Sequence, residues 1–235
     1  MDLAVLGSVR EAAAEVLEQV PHIDAPICNA AIAPVAKQEI TVDGFESQLG
    51  VNHFAHFLLS GLLFERVEAS GGRIVVVGSN AYKMGLKKIQ FEDLNFDKNY
   101  TAWNSYAQSK LAQMMFAYEL QRRVRAAGKN VEVRVCHPGA SRTNLLQETA
   151  STFNKIVWAI SSRIIAQSAE RGSWPEVMCA TEDGLLPETL YGPTKRMETV
   201  GPIGECPLED HALDRDMAAK LWTLSEQKTS LSWSP

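Results

Sequence analysis

Arg73-Ile74-Val75-Val76-Val77-Gly78-Ser79 is the run on which the fold turns. Four successive β-branched residues with no polar alternation read as a short strand buried on both faces, and Gly71-Gly72 punctuates its start. A strand covered on both faces belongs to a parallel sheet whose connections are helices. The flanking sequence supplies them. Upstream, a helix is expected over residues 43–67, with Phe45, Leu49, Phe54, Leu58 and Leu62 on one face. Downstream, a polar loop over 80–100 leads into a helix over 102–127 that ends at Gly128-Lys129-Asn130. Residues 131–136 then alternate as a second strand before His137-Pro138-Gly139. Ahead of these, a Ser8/Glu11 capping box opens a helix carrying Val9, Ala12, Ala13, Val16, Leu17 and Val20, followed by the apolar segment Ala25-Pro26-Ile27-Cys28. Beyond Gly139, helices are expected near 153–165 and 169–180, a short strand at Leu190-Tyr191, a loop over 192–207 and a closing helix over 210–225.

At 235 residues the chain suits one domain with a single large core, and no linker divides it. A net charge of −5, spread along the sequence, leaves no electrostatic footprint for nucleic acid. No apolar run approaches the roughly 18 residues of a membrane span, and the start Met1-Asp2-Leu3-Ala4 lacks the pattern of a signal peptide. Cys28, Cys136, Cys179 and Cys206 lie far apart, which suits neither a disulfide framework nor a zinc site. A cytoplasmic α/β protein with no metal is the expectation. His53 and His56, at i and i+3, lack an evident third ligand and read as helix residues.

The chemistry-bearing run is Ser105-Tyr106-Ala107-Gln108-Ser109-Lys110. On a helix Tyr106 and Lys110 leave the same face. A free tyrosine is only ~0.1% phenolate at pH 7. An ammonium about 5 Å away, at an effective dielectric near 20, favours the phenolate by roughly 3 kcal/mol, or about two pKa units. That makes a usable general acid or base, although the spacing alone suits helix packing equally well. Three further polar stations follow the neighbouring elements. Ser79 stands at the carboxyl end of the buried strand, Asn52 sits among apolar helix neighbours, and Pro138-Gly139 with Thr143 follows the next strand. Asn29-Ala30-Ala31 follows Cys28 in the same way. Trp158, Trp174 and Met178 are candidates for a substrate wall or for simple packing.

In this order the stations resemble the short-chain dehydrogenase/reductase family, in particular its branch of retinol-dehydrogenase-like and protochlorophyllide-reductase-like enzymes. The resemblance covers nearly the whole chain. It implies a Rossmann-like doubly wound parallel sheet with helices on both faces, forming a single domain whose residues 144–205 are the variable substrate side. It also implies an NAD- or NADP-dependent oxidoreductase that interconverts a small-molecule alcohol and its carbonyl by hydride transfer. Tyr106 would exchange the proton, Lys110 would lower its pKa and bind the nicotinamide ribose, Ser79 would bond the substrate oxygen, and Asn52 would support a water-linked relay. Asp2 matches the adenine position, Asn29, Ala30 and Ala31 the segment beside the adenosine ribose, and Pro138, Gly139 and Thr143 the nicotinamide side. Homo-oligomers built on the helices over 43–67 and 102–127 are implied as well.

Two departures temper this. There is no G-x-G-x-x-G or related glycine cluster to cradle a pyrophosphate. Relative to the family, the chain begins near the end of the third strand, so an opening βαβαβ segment of roughly 60 residues is expected to be missing, whether through truncation or a start upstream of Met1. Ala31 also stands where the family's N-N-A-G pattern has glycine, and Cys28 where it has asparagine. A catalytically silent remnant serving as a binding or assembly module is therefore the alternative to an enzyme.

Overall fold

The computed structural model describes residues 1–140 and 168–235. Strand β2 (Arg73–Val77) lies between β1 (Ile27–Cys28) and β3 (Glu132–Cys136), parallel to both. β4 (Leu190–Lys195) continues the parallel sheet beside β3, and β5 (Val200–Cys206) closes it antiparallel, in the order β1-β2-β3-β4-β5. This is the α/β Rossmann-like class read from the sequence. The alternation along β2 divides the core. Ile74 and Val76 face the larger layer, built from α1 (Leu6–Gln19), α2 (Ala55–Ala69), α3 (Ala102–Ala126) and α5 (Arg215–Thr229). Val75 and Val77 face the smaller layer, where Cys136, Tyr191 and Cys179 of α4 (Ala169–Thr181) complete a second cluster. Each of these buried aliphatics contributes about 1.5–3 kcal/mol.

Several local expectations are corrected. Ser8 does not cap α1, which begins earlier behind Val5. The Ser8 hydroxyl instead accepts from the Asp2 backbone N–H, and Asp43 accepts from Leu6 N–H at 2.8 Å. The second helix starts at Ser47 rather than residue 43, because Glu46 caps it by accepting from Leu49 N–H at 2.9 Å. It then passes through a π turn, Gly50–Phe54, before continuing as α2. The stretch expected as a loop over 192–207 is a hairpin. β4 and β5 pair from Leu190↔Cys206 to Lys195↔Val200, and no side-chain alternation announced it. The helix expected near 153–165 lies outside the described residues.

Helix α3 and the C-terminus pack closely together. Ser105 to Gln121 of α3 is buried without interruption. α5 and the tail behind it lie over this side of the molecule, where Trp222 and Trp233 pack edge-on against Phe57, with ring centroids 5.1 and 5.3 Å apart. Gly61 permits that closure, since a Cβ there would stand 2.4 Å from Leu231 and 2.9 Å from Trp233. At the opposite edge Ile27 of β1 is 41% exposed.

Candidate active site

The carboxyl ends of β1, β2 and β3 open into one cavity of about 720 Å³. Asn29, Ala30 and Ala31 line it from β1, Ser79 from β2, Tyr106 and Lys110 from α3, and Pro138 and Gly139 from β3. Elements far apart in sequence thus bring eight of the expected residues to a single crevice, where ligands bind in open α/β sheets. Asp2 is not among the lining residues, and its carboxylate accepts from Ala4 N–H at the start of the chain. Thr143 and Trp158 lie outside the described residues. Trp174 and Met178 do not line the cavity either; Trp174 is solvent-exposed and Met178 packs on the smaller core.

Ser79 ends β2 and caps the 3-10 turn Asn80–Lys83, its hydroxyl accepting from Ala81 N–H at 3.2 Å. It lines the cavity together with Tyr106. Lys110 is buried and donates to Val77 O at 3.1 Å and to Gln113 Oε1 at 2.9 Å. Burial pulls its pKa down to about 8, against the opposing pull of Cys136 and Glu176. Tyr106 is shifted upward by burial, an effect that the neighbouring Ser79 hydroxyl partly opposes. The expected lowering of Tyr106 by Lys110 is therefore corrected. The ammonium is turned to the end of β2 and to Gln113, and burial sets the direction at Tyr106.

Asn52 takes a different position from the one expected. It is fully buried in the π turn and does not line the cavity. Its amide donates to Ser109 Oγ at 2.9 Å and Ile32 O at 3.1 Å, while its oxygen accepts from Ile32 N–H at 2.9 Å. Ser109 in turn donates to Tyr106 O at 2.8 Å. Both amide donors are committed, so the side chain holds the segment after β1 against the tyrosine turn. His53 bonds Ser225 Oγ at 2.8 Å and His56 bonds Ala30 O at 2.7 Å, in keeping with their reading as helix residues.

Other lining residues were not singled out in the sequence as site residues. Trp103, one helical turn before Tyr106 with its ring 6.0 Å away, could have been found by its i, i+3 spacing. Met84, Glu176, Met197 and Glu198 had no such signal, because a 3-10 turn, a helix face and a hairpin tip bring them there.

The sequence profile described as short chain dehydrogenase matches residues 1–91. Mouse (Mus musculus) retinol dehydrogenase 14 is 38% identical over 235 residues, which cover 96% of this chain and 65% of that protein. Human (Homo sapiens) retinol dehydrogenase 13 is 34% identical, covering 98% of this chain and 68% of its own length. A crystal structure of an uncharacterized protein from Mycobacterium Paratuberculosis superimposes with a TM-score of 0.77 at 36% identity, covering 99% of this chain and 75% of that one. The chain belongs to the short-chain dehydrogenase/reductase family, in its retinol-dehydrogenase-like branch. It spans about two thirds of the length of these curated relatives.

Proposed function

We propose that these residues form the proton-handling and nicotinamide-side part of an NAD(P)-dependent oxidoreductase that interconverts an alcohol and its carbonyl. The observation that carries the reading is the meeting of Ser79, Tyr106 and Lys110 in one cavity at the carboxyl ends of the strands.

A nicotinamide cofactor fits the site in part. Gly139, at φ +66°, gives the loop after β3 a close approach that a side chain would block, since its Cβ would meet Pro193 and Thr199 O at 2.5 Å. Asn80 Oδ1, on the cavity wall, is buried without a hydrogen-bond partner among the described residues, as a site for hydroxyl or amide donors requires. Lys110, Pro138 and Gly139 would hold the nicotinamide and its ribose, and Asn29 to Ala31 would lie beside the adenosine ribose. When bound, the cofactor supplies or takes the hydride.

The protein's own part is the proton. Tyr106, kept protonated by burial, donates its proton to the carbonyl oxygen on reduction and is left a phenolate that regains a proton from solvent. Oxidation runs the same steps in reverse, with the phenolate taking the alcohol proton. Ser79 bonds the same oxygen and fixes its distance from the phenol. Lys110 stays cationic at neutral pH and holds the end of β2 and the nearby ribose in place. The names of the relatives make retinal the first carbonyl to try. NADPH or NADH consumption should be followed at millimolar nucleotide for the wild type, Tyr106→Phe and Lys110→Ala. Turnover that falls at least a hundredfold in Tyr106→Phe, with an unchanged circular dichroism spectrum, is expected. No wild-type turnover with any aldehyde or ketone tried, or equal kcat values for the two, overturns the reading.

A further inference from the structure

The β4–β5 hairpin has no part in the reaction described above, yet it grips both loops that carry it. Its tip is unusual: Arg196, Met197 and Glu198 are three consecutive residues with φ of 50°, 56° and 62°. L-residues adopt this left-handed turn only where the surroundings over-determine it. Glu198 ties this tip to its surroundings. Both of its carboxylate oxygens accept from Lys83 Nζ, at 2.8 and 2.7 Å, and the pair is mostly buried. Lys83 ends the 3-10 turn whose first residue follows Ser79, so the hairpin tip is bolted to the serine turn.

The same tip holds the loop after β3. Ala140 N–H donates to Thr199 O at 3.0 Å, and His137 N–H donates to Tyr191 O at 2.9 Å. A Cβ on Gly192 would stand 2.2 Å from His137 Nε2, so the ring lies directly on the strand backbone. That Nε2 is buried without a hydrogen-bond partner among the described residues and lies 3.8 Å from Glu198 Oε2. Met197, Glu198 and Thr199 all reach the cavity wall.

His137, Glu198 and Cys206 place one ligand atom each within 4.8 Å, the residue types of a zinc site. Their bonds argue otherwise. His137 Nδ1 accepts from Gly139 N–H at 3.2 Å, so the neutral ring carries its proton on Nε2, the atom a metal would need. Glu198 is filled by Lys83, and burial pushes the Cys206 thiol up to about 11. The cluster is a clamp.

We propose that Glu198 is a positioning residue for the oxidoreductase reaction. By joining Lys83 and facing His137, it fixes the Ser79 turn against the His137–Gly139 loop, and so sets where the substrate oxygen and the nicotinamide-side loop meet. This rests on the function proposed above. The test compares Glu198→Gln, Lys83→Met and the exchanged pair Lys83→Glu/Glu198→Lys with the wild-type chain, all checked for fold by circular dichroism. Two readouts are used: kcat and KM at millimolar nucleotide, and the Tyr106 Cζ resonance in carbon-13-tyrosine protein, assigned with Tyr106→Phe. The resonance reports the surroundings of the Tyr106 hydroxyl, Ser79 among them, whether or not the chain turns over. Each single variant should lower kcat about 10- to 100-fold, leave KM for the carbonyl within about threefold and shift the resonance. The exchanged pair should recover most of both, which a role confined to stability would not require. Unchanged kcat and resonance in both single variants overturns the proposal, as does an exchanged pair that folds yet recovers neither. A wild-type chain without turnover overturns the oxidoreductase reading alone, and the resonance then decides the positioning by the same criterion.

Discussion

Asn52→Ala separates a structural linker from a relay residue. The wild-type amide makes three hydrogen bonds, two to Ile32 and one to Ser109, all at 2.9–3.1 Å. Each is worth about 1 kcal/mol net, so the substitution should cost about 3 kcal/mol. Ile32 is only partly buried, so water can reach its freed backbone groups and the full penalty of an unsatisfied pair does not apply. Against a total stability of about 5–15 kcal/mol this is a large loss. With a urea slope of about 2–3 kcal/mol/M, the midpoint should fall by about 1–1.5 M. Asn52→Asp, nearly the same shape, should be as damaging at pH 7. Its carboxylate still accepts from Ile32 N–H but turns an acceptor toward Ile32 O and loses the donor to Ser109. Urea titrations followed by far-UV circular dichroism measure both. A midpoint within about 0.3 M of wild type for either variant would refute the linking role.

Acid should unfold the chain early, because burial lowers three imidazoles: His53 to about 3, and His56 and His137 to about 4. Unfolded histidines titrate near 6.5, so between that pH and about 4 the unfolded chain binds more protons and stability is lost as pH falls. Each group costs up to about 1.4 kcal/mol per pH unit, which places the acid midpoint near pH 5; a constant urea midpoint from pH 7 to 5 contradicts this. With no glycine cluster to cradle the pyrophosphate, these 235 residues should bind NADH and NADPH weakly. Two or three charge-assisted bonds forgone amount to ~3–9 kcal/mol, and a micromolar dissociation constant by calorimetry overturns the expectation. The edge strand β1, with Ile27 exposed, leaves backbone groups open to pairing, so light scattering at micromolar concentration should show a dimer or larger species. A cleanly melting species of 25.9 kDa would show the edge to be protected.

What could be read in the sequence was whatever depends on neighbours along the chain. Strand β2 and helix α3 were legible because β-branched runs and helical periodicity are local signals, and α3 was bounded to within a residue. Tyr106 and Lys110 share a helix, so their common face followed from spacing alone, and the ordered set of motifs was enough for the family. The limits were equally physical. The β4–β5 hairpin is Gly- and Pro-rich, and only pairing with β3 makes it sheet. Charge tuning also escaped, since it depends on where an ammonium points. Lys110 lies on the face expected but bonds Val77 O and Gln113, and burial sets the direction at Tyr106. Asn52 became a strut because its partners, Ile32 and Ser109, stand 20 and 57 residues away. Glu198 reached the site only through an ion pair spanning 115 residues. Local pattern determined the elements and the reactive side chains. Tertiary packing decided their partners, because hydrogen bonds and burial are set by distance in space and not by order along the chain.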